Sequence, residues 1–176
     1  LFLGTPRPWK GVEEAARAVA ALPFPATLLV VGADDTPFSR RLASLPRVRT
    51  HPMVPLSSLP EFLEEADLVV IPQQANAVTR FQMPSKLFDA MAMARPIVAT
   101  AVSDIPRILE DGRGIVVPPG RVFRLSLSIR RVLQNPQEAR DMGARARAWC
   151  VENASLEAAR DPVARALHRA LERRSR

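Results

Sequence analysis

Residues 1–32 read LFLGTPRPWKGVEEAARAVAALPFPATLLVVG. The stretch opens on an apolar run, Leu1–Gly4, crosses a turn rich in Gly and Pro, and enters a helix-length segment, Val12–Leu22. A second apolar run, Thr27–Val31, follows it. Both runs are continuous rather than alternating in polarity, which is the pattern of strands covered on both faces. Strand, crossover helix and strand within about 30 residues make one parallel βαβ unit, connected right-handedly.

The same alternation continues outward. Further strands are expected at Val48–His51, Leu68–Pro72, Ile97–Thr100 and Ile115–Val117. Between them, Phe38–Leu45, Leu59–Ala66, Ser85–Ala94 and Ile105–Glu110 are each long enough for one crossover helix. Repetition of this unit predicts an α/β domain: a Rossmann-like, doubly wound parallel sheet of about six strands with helices on both faces. After Gly120 the strands stop, and Val122–Leu133, Pro136–Val151 and Ser155–Arg174 read as helices. Asn135-Pro136 gives a stop and a restart, since the residue before proline avoids the helical region and proline suits a first turn. Pro162 is expected to kink or interrupt the last helix. The expected division is a domain over residues 1–153 with a C-terminal helix over residues 154–176.

A chain of 176 residues with 47% hydrophobic and 24% charged residues suits a globular domain. No apolar run reaches the roughly 18 residues that span a bilayer. Because the sequence opens on Leu1 inside a strand, a preceding segment is expected. Cys150 is the only cysteine, which excludes an internal disulfide and suits a reducing, cytoplasmic setting. His51 and His168 share no ligand spacing, and no metal site is expected. The net charge of +7 is concentrated at the end, in Arg165, Arg169, Arg173, Arg174 and Arg176. A basic surface attracts nucleotides, nucleic acid or anionic lipid, and arginine-rich helices also arise without such a partner. No nucleic-acid-binding motif accompanies the charge, so nucleic acid is not an expected partner.

In a doubly wound sheet, ligands bind beyond the carboxyl ends of the strands, against helix N-termini. Two strand-to-helix junctions carry suitable residues. GTPRPWKG, Gly4–Gly11, offers Arg7 and Lys10 beside a helix start, with Gly11 permitting close backbone approach. Two cations there suit a diphosphate; the order of residues is not that of a Walker A loop. The same turn also suits a basic surface loop with Trp9 packed on the domain. The second junction is QMPSKLFDAMAMARPIVAT, Gln82–Thr100. With Pro84 at the first helical position, the N–H groups of Ser85 and Lys86 are left for an anion, aided by the Ser85 hydroxyl and the Lys86 charge. Asp89 follows one turn after Ser85, on the same side of the helix, where a carboxylate accepts well from ribose hydroxyls. Equally, this is a capped helix with Asp89 solvated and Leu87, Phe88, Met91 and Met93 in the core.

Taken in order, PRPWKG, VVG, ADLVVIP, PSKLFDAMAMARPIVAT and SDIPRILEDGRGIVVPPG resemble family-four glycosyltransferases of the GT-B fold. The resemblance runs from Leu1 to about Asn153. It implies two Rossmann-like domains facing across a cleft, with this chain as the C-terminal, donor-binding one. It also implies transfer from a nucleotide-diphosphate sugar to a saccharide or lipid-linked acceptor, with retention and without a metal or other cofactor. The acceptor is met by the N-terminal domain. Lys10 matches the diphosphate-binding lysine, and Met83, Pro84 and Ser85 match the loop whose amides meet the diphosphate. Asp89 matches the ribose-binding glutamate. His51 to Val54, including Met53, match the loop beside the nucleobase, whose identity side chains do not reveal. The final helix of relatives folds back onto the first domain, which is the expectation for Ser155–Arg174.

Several positions depart from the family pattern. Thr5 stands where an arginine is usual, and Arg7 is close enough to replace it. Phe81 stands where the first glutamate of the pair is usual. Arg107 replaces a common glutamate. Arg95 replaces a frequent glycine at a helix end, at a cost of about 1 kcal/mol if that residue must be left-handed. Donor binding by an isolated half that transfers nothing is expected, at the cytoplasmic side and peripheral to anionic membrane. The alternative is a nucleotide-binding or regulatory module that has lost catalysis.

Overall fold

The computed structural model describes residues 1–174; Arg176, the last of the terminal arginines, lies outside the described residues. The first half of the chain runs β1 (Phe2–Leu3), α1 (Val12–Ala20), β2 (Leu28–Ala33), α2 (Pro37–Ala43), β3 (Val48–Pro52), α3 (Leu59–Glu64) and β4 (Val69–Ile71). The second continues α4 (Ser85–Ala92), β5 (Ile97–Thr100), α5 (Ile105–Ile108), β6 (Ile115–Val117), α6 (Val122–Gln134), α7 (Pro136–Ala154) and α8 (Leu156–Arg174). All six expected strands are present, within one or two residues of their expected ends.

Every strand pairing is parallel. The strands form two three-stranded sheets, β1-β2-β3 and β4-β5-β6. The two meet edge to edge at β1 and β4, where the Val70 N–H donates to the Leu1 carbonyl (2.9 Å) and the Leu1 amino group donates to the Leu68 carbonyl (2.8 Å). β1 keeps only two residues, too few to carry the ladder across, so two bonds at Leu1 mark the seam. Side chains alternate across each strand, which splits the core in two. Phe2, Val30, Val70 and Val98 face α1 and α6. Leu3, Val31, Val69, Ile71, Ile97 and Ala99 face the side of α4, α5 and α7. Both faces are therefore dry, as continuous apolar runs require.

The helices bury the faces their spacing dictates. In α1 the buried positions are Val12, Ala15, Ala16, Ala18 and Val19, one stripe at helical period. The buried hydroxyl of Ser126 on α6 donates to the Ala18 carbonyl (2.8 Å), tying the two helices together. At the end of α4, Arg95 N–H reaches the Ala90 carbonyl (2.9 Å) and Ala94 N–H reaches that of Met91 (3.0 Å). That is a Schellman cap, and its left-handed residue is Ala94 at φ 52°. Strain expected at Arg95 thus falls one residue earlier. Arg95 instead uses its side chain, donating to the carbonyls of Met93 (3.0 Å) and Glu64 (3.2 Å). Helix α7 crosses this cap at Gly143, where a Cβ would lie 1.9 Å from the Ala94 oxygen.

Ser155 separates α7 from α8: its φ,ψ of −74°, 165° is extended, and its hydroxyl accepts from the Ala158 N–H (3.1 Å). Pro162 lies inside α8 without interrupting it, although its ring nitrogen cannot donate to the carbonyl one turn back. No described helix is long and apolar enough to cross a membrane.

Candidate functional site

The strand order places β1 beside β4, and their following helices lie on opposite faces of the sheet. Loops leaving the two strands therefore diverge at the carboxyl edge, the place where doubly wound sheets take their ligands. Both sequence-picked junctions border it.

The first turn is fastened at several points. Gly4 N–H donates to the Val31 carbonyl (2.7 Å), and the Lys10 ammonium donates to the Thr5 carbonyl (2.8 Å). Gln74 N–H donates to the Trp9 carbonyl (2.9 Å), joining the turn to the segment after β4. Gly11 is left-handed (φ 69°), its N–H donates to Pro8 O, and a Cβ would lie 1.7 Å from the Pro72 oxygen. The bare face of Gly11 thus packs on Pro72. Arg7 turns to Asp34, its guanidinium donating to the carboxylate at 2.8 Å. Asp34 also accepts from the hydroxyls of Ser39 (2.5 Å) and Thr36 (2.7 Å). The Ser39 bond, then those of Arg7 and Thr36, hold its carboxyl well below the ordinary range. Burial, with the nearby Arg7 charge, pushes the Lys10 pKa down.

At the second junction, Pro84, expected at the first helical position, is the cap of α4 (φ −74°, ψ 119°) and Ser85 its first residue. Leu87 N–H returns to the Pro84 carbonyl (3.0 Å). The N–H groups of Ser85 and Lys86 have no acceptor among the described residues. The Lys86 ammonium sits 3.9 Å from the centre of the Phe2 ring. Burial, and then the Lys10 charge, lower its pKa to about 7. Asp89, one turn on, is half-buried, its carboxylate has no hydrogen bond among the described residues, and burial raises its pKa. Its charge also helps to raise the Cys150 thiol, after burial.

The remaining expected residues line the same edge. Met53 is exposed and Val54 half-buried after β3, while Met83 is half-buried before α4. His51 packs edge-on against Phe62, ring centres 4.9 Å apart, and His168 lies on exposed α8. Phe81 is 83% exposed, with the Arg80 guanidinium 5.4 Å from its ring centre. Arg107 is exposed on α5. Two residues of this edge escape a sequence reading. Asp34 needs Arg7, 27 positions away. Gln73 is 3% exposed, with an Oε1 that has no partner; a polar residue after a strand reads as loop. A cavity of about 580 Å³ lies at the opposite, amino edge, lined by Leu22, Phe24, Ala66, Pro96 and Val132 and by none of Lys10, Lys86 and Asp89.

Residues 1–135 match the family of glycosyl transferases group 1. An alpha-D-kanosaminyltransferase of Streptomyces kanamyceticus is 31% identical over 107 residues, 60% of this chain and 26% of that protein. An alpha-maltose-1-phosphate synthase of Mycolicibacterium smegmatis is 28% identical over 172 residues, 88% of this chain and 43% of that protein. The structure of Anabaena HepE in complex with UDP-glucose superposes with a TM-score of 0.80 at 20% identity, covering 95% of this chain and 48% of that one. The chain therefore belongs to the group 1 glycosyl transferases. It spans less than half the length of each of these three proteins.

Proposed function

We propose that this chain binds the nucleotide-sugar donor of a glycosyltransferase at the crevice between β1 and β4. The observation that carries the reading is the approach of the β1 turn, with Lys10, to Lys86 at a helix start whose first two amides have no acceptor among the described residues. The donor's diphosphate lies between them, with Met83 and Pro84 forming its loop. Asp89 accepts from the ribose hydroxyls, and Met53 and Val54 flank the base. HepE has been solved with UDP-glucose and with UDP, which supports a nucleotide-sugar ligand of this class.

In the reaction the bond from the anomeric carbon to the diphosphate breaks, and its electron pair goes to the β-phosphate oxygen. The acceptor hydroxyl oxygen forms the new bond on the same face, which retains configuration, and gives up its proton as it does so. Charge growing on the leaving diphosphate meets Lys10, the α4 amides and the helix dipole, so the reading needs no metal. Relatives about twice as long or longer support a further domain that meets the saccharide or lipid-linked acceptor. The setting is cytoplasmic, with the arginines of α8 near anionic lipid; flotation with anionic vesicles at low salt tests that contact.

Calorimetric titration of the chain with UDP, GDP and ADP tests donor binding, with UMP and a Lys10→Ala variant as comparisons. Saturable binding of one diphosphate, weakened in both comparisons, is expected. The exposed Phe81, where relatives of the resembled family carry a carboxylate, favours a second reading as a catalytically silent binding module. In the intact transferase, Lys10→Ala is expected to lower kcat/KM by about 10²–10³. An unchanged rate would favour the silent module.

A further inference from the structure

Arg7 and Lys86 compete for the role of second cation beside Lys10, and their surroundings differ. The Arg7 guanidinium is committed: it donates to Asp34 and to the Pro6 carbonyl, both at 2.8 Å. Asp34 is in turn held by Thr36 and Ser39 at the start of α2. Releasing Arg7 toward a ligand would break an ion pair and leave that carboxylate with two hydroxyls. Its place in this network is to hold the loop.

Lys86 is the reverse. Its ammonium has no hydrogen-bond acceptor among the described residues and no carboxylate in reach; the charged group acting on it is Lys10. Its neighbours include the Phe2 ring at 3.9 Å and the backbone of Gly4, where a Cβ would come within 3.7 Å of Nζ. A side chain from α4 therefore ends beneath the β1 turn, between the two halves of the crevice. A half-buried lysine whose three donors find no acceptor among the described residues, beside a second lysine, is a poor resting arrangement. An anion with oxygens spread over two phosphorus atoms resolves it.

We propose that Lys86, rather than Arg7, is the second cation of the diphosphate site, sharing the donor's charge with Lys10. This rests on the donor-site reading above and adds a residue assignment to it. A proton balance follows. Near pH 8 the unliganded ammonium, with a pKa of about 7, is largely neutral. A bound diphosphate raises that pKa, so binding takes up close to one proton.

The test is calorimetric titration with UDP, GDP and ADP at pH 8, in two buffers of different ionisation heat, on the chain and on Lys86→Met, Lys86→Gln and Arg7→Met. Lys86→Met is expected to weaken the bound diphosphate about 10- to 100-fold and to abolish the proton uptake. It should also melt higher than the parent, since it removes a half-buried amine that folding has to discharge; a merely structural lysine would not separate stability from binding in this way. Lys86→Gln serves as the second variant if Met does not fold. Arg7→Met is expected to weaken binding at most about threefold, by loosening the turn. Parent-like binding and proton uptake in the Lys86 variants would overturn the assignment alone, as would a larger loss in Arg7→Met. Failure of the parent chain to bind any of the three nucleotides would overturn the site reading and the assignment together.

Discussion

Gly11 is the residue on which the crevice most depends for its shape. Its left-handed backbone and the Pro72 oxygen 1.7 Å from any Cβ make alanine doubly unfavourable. Strain at φ of about +60° costs roughly 1–2 kcal/mol and overpacking roughly 1–3 kcal/mol. Gly11→Ala is therefore expected to lose about 2–5 kcal/mol in denaturant unfolding, with nucleotide binding falling too as the Lys10 turn shifts. Lys86 gives a second prediction at this scale. Its folded pKa of about 7 lies below the ordinary 10.5, so the fold disfavours the charged form. That penalty is complete below pH 7 and is relieved as pH rises toward 10.5. The unliganded chain should gain about 2 kcal/mol between pH 7 and pH 9, and Lys86→Met should flatten most of that rise. The sequence shows Arg7, Lys10 and Lys86 as three cations near two helix starts. It does not show that Asp34 takes one of them, because residues 27 apart meet only after β2 has paired with β1.

Among the elements, helix ends separate what sequence shows from what it hides. Strands and helices were legible because apolar runs and helical periods are summed over many residues. A cap depends on one residue, and although α4 starts at Ser85 as expected, the residues at its two caps take roles one position from those the sequence suggests. At its start, Pro84 takes the extended cap conformation rather than the first helical one. At its end the left-handed residue is Ala94, not Arg95. Ala94→Gly should accordingly stabilise the chain by about 1 kcal/mol, read as a higher denaturant midpoint at unchanged slope. Gly143→Ala should do the opposite, forcing α7 off α4 where the new methyl meets the Ala94 oxygen. The seam between the sheets was equally hidden, since the shortness of β1 is a matter of pairing rather than composition.

Over the whole molecule, burial is uneven. The sheet and helices α1, α4, α6 and α7 share the two core layers, whereas α8 is exposed along most of its length, including Leu156, Val163 and Leu167. Pro162 removes one donor from its ladder. Amides of α8 should therefore exchange with solvent at least about 100-fold faster than those of β2 and β5, as local opening there breaks few contacts. Equal protection would mean that α8 is packed on something other than α7. The position of the crevice also follows from the whole fold, because it lies where strand order reverses between β1 and β4.

Binding of a nucleoside diphosphate between the Lys10 turn and the start of α4 can be read from amide chemical shifts during titration with UDP, GDP and ADP. One of them is expected to shift residues Gly4–Gly11 and Met83–Asp89 most strongly, with the Ser85 and Lys86 amides moving as hydrogen bonds form. Shifts gathered at the amino-edge cavity, or none anywhere at millimolar nucleotide, would contradict it.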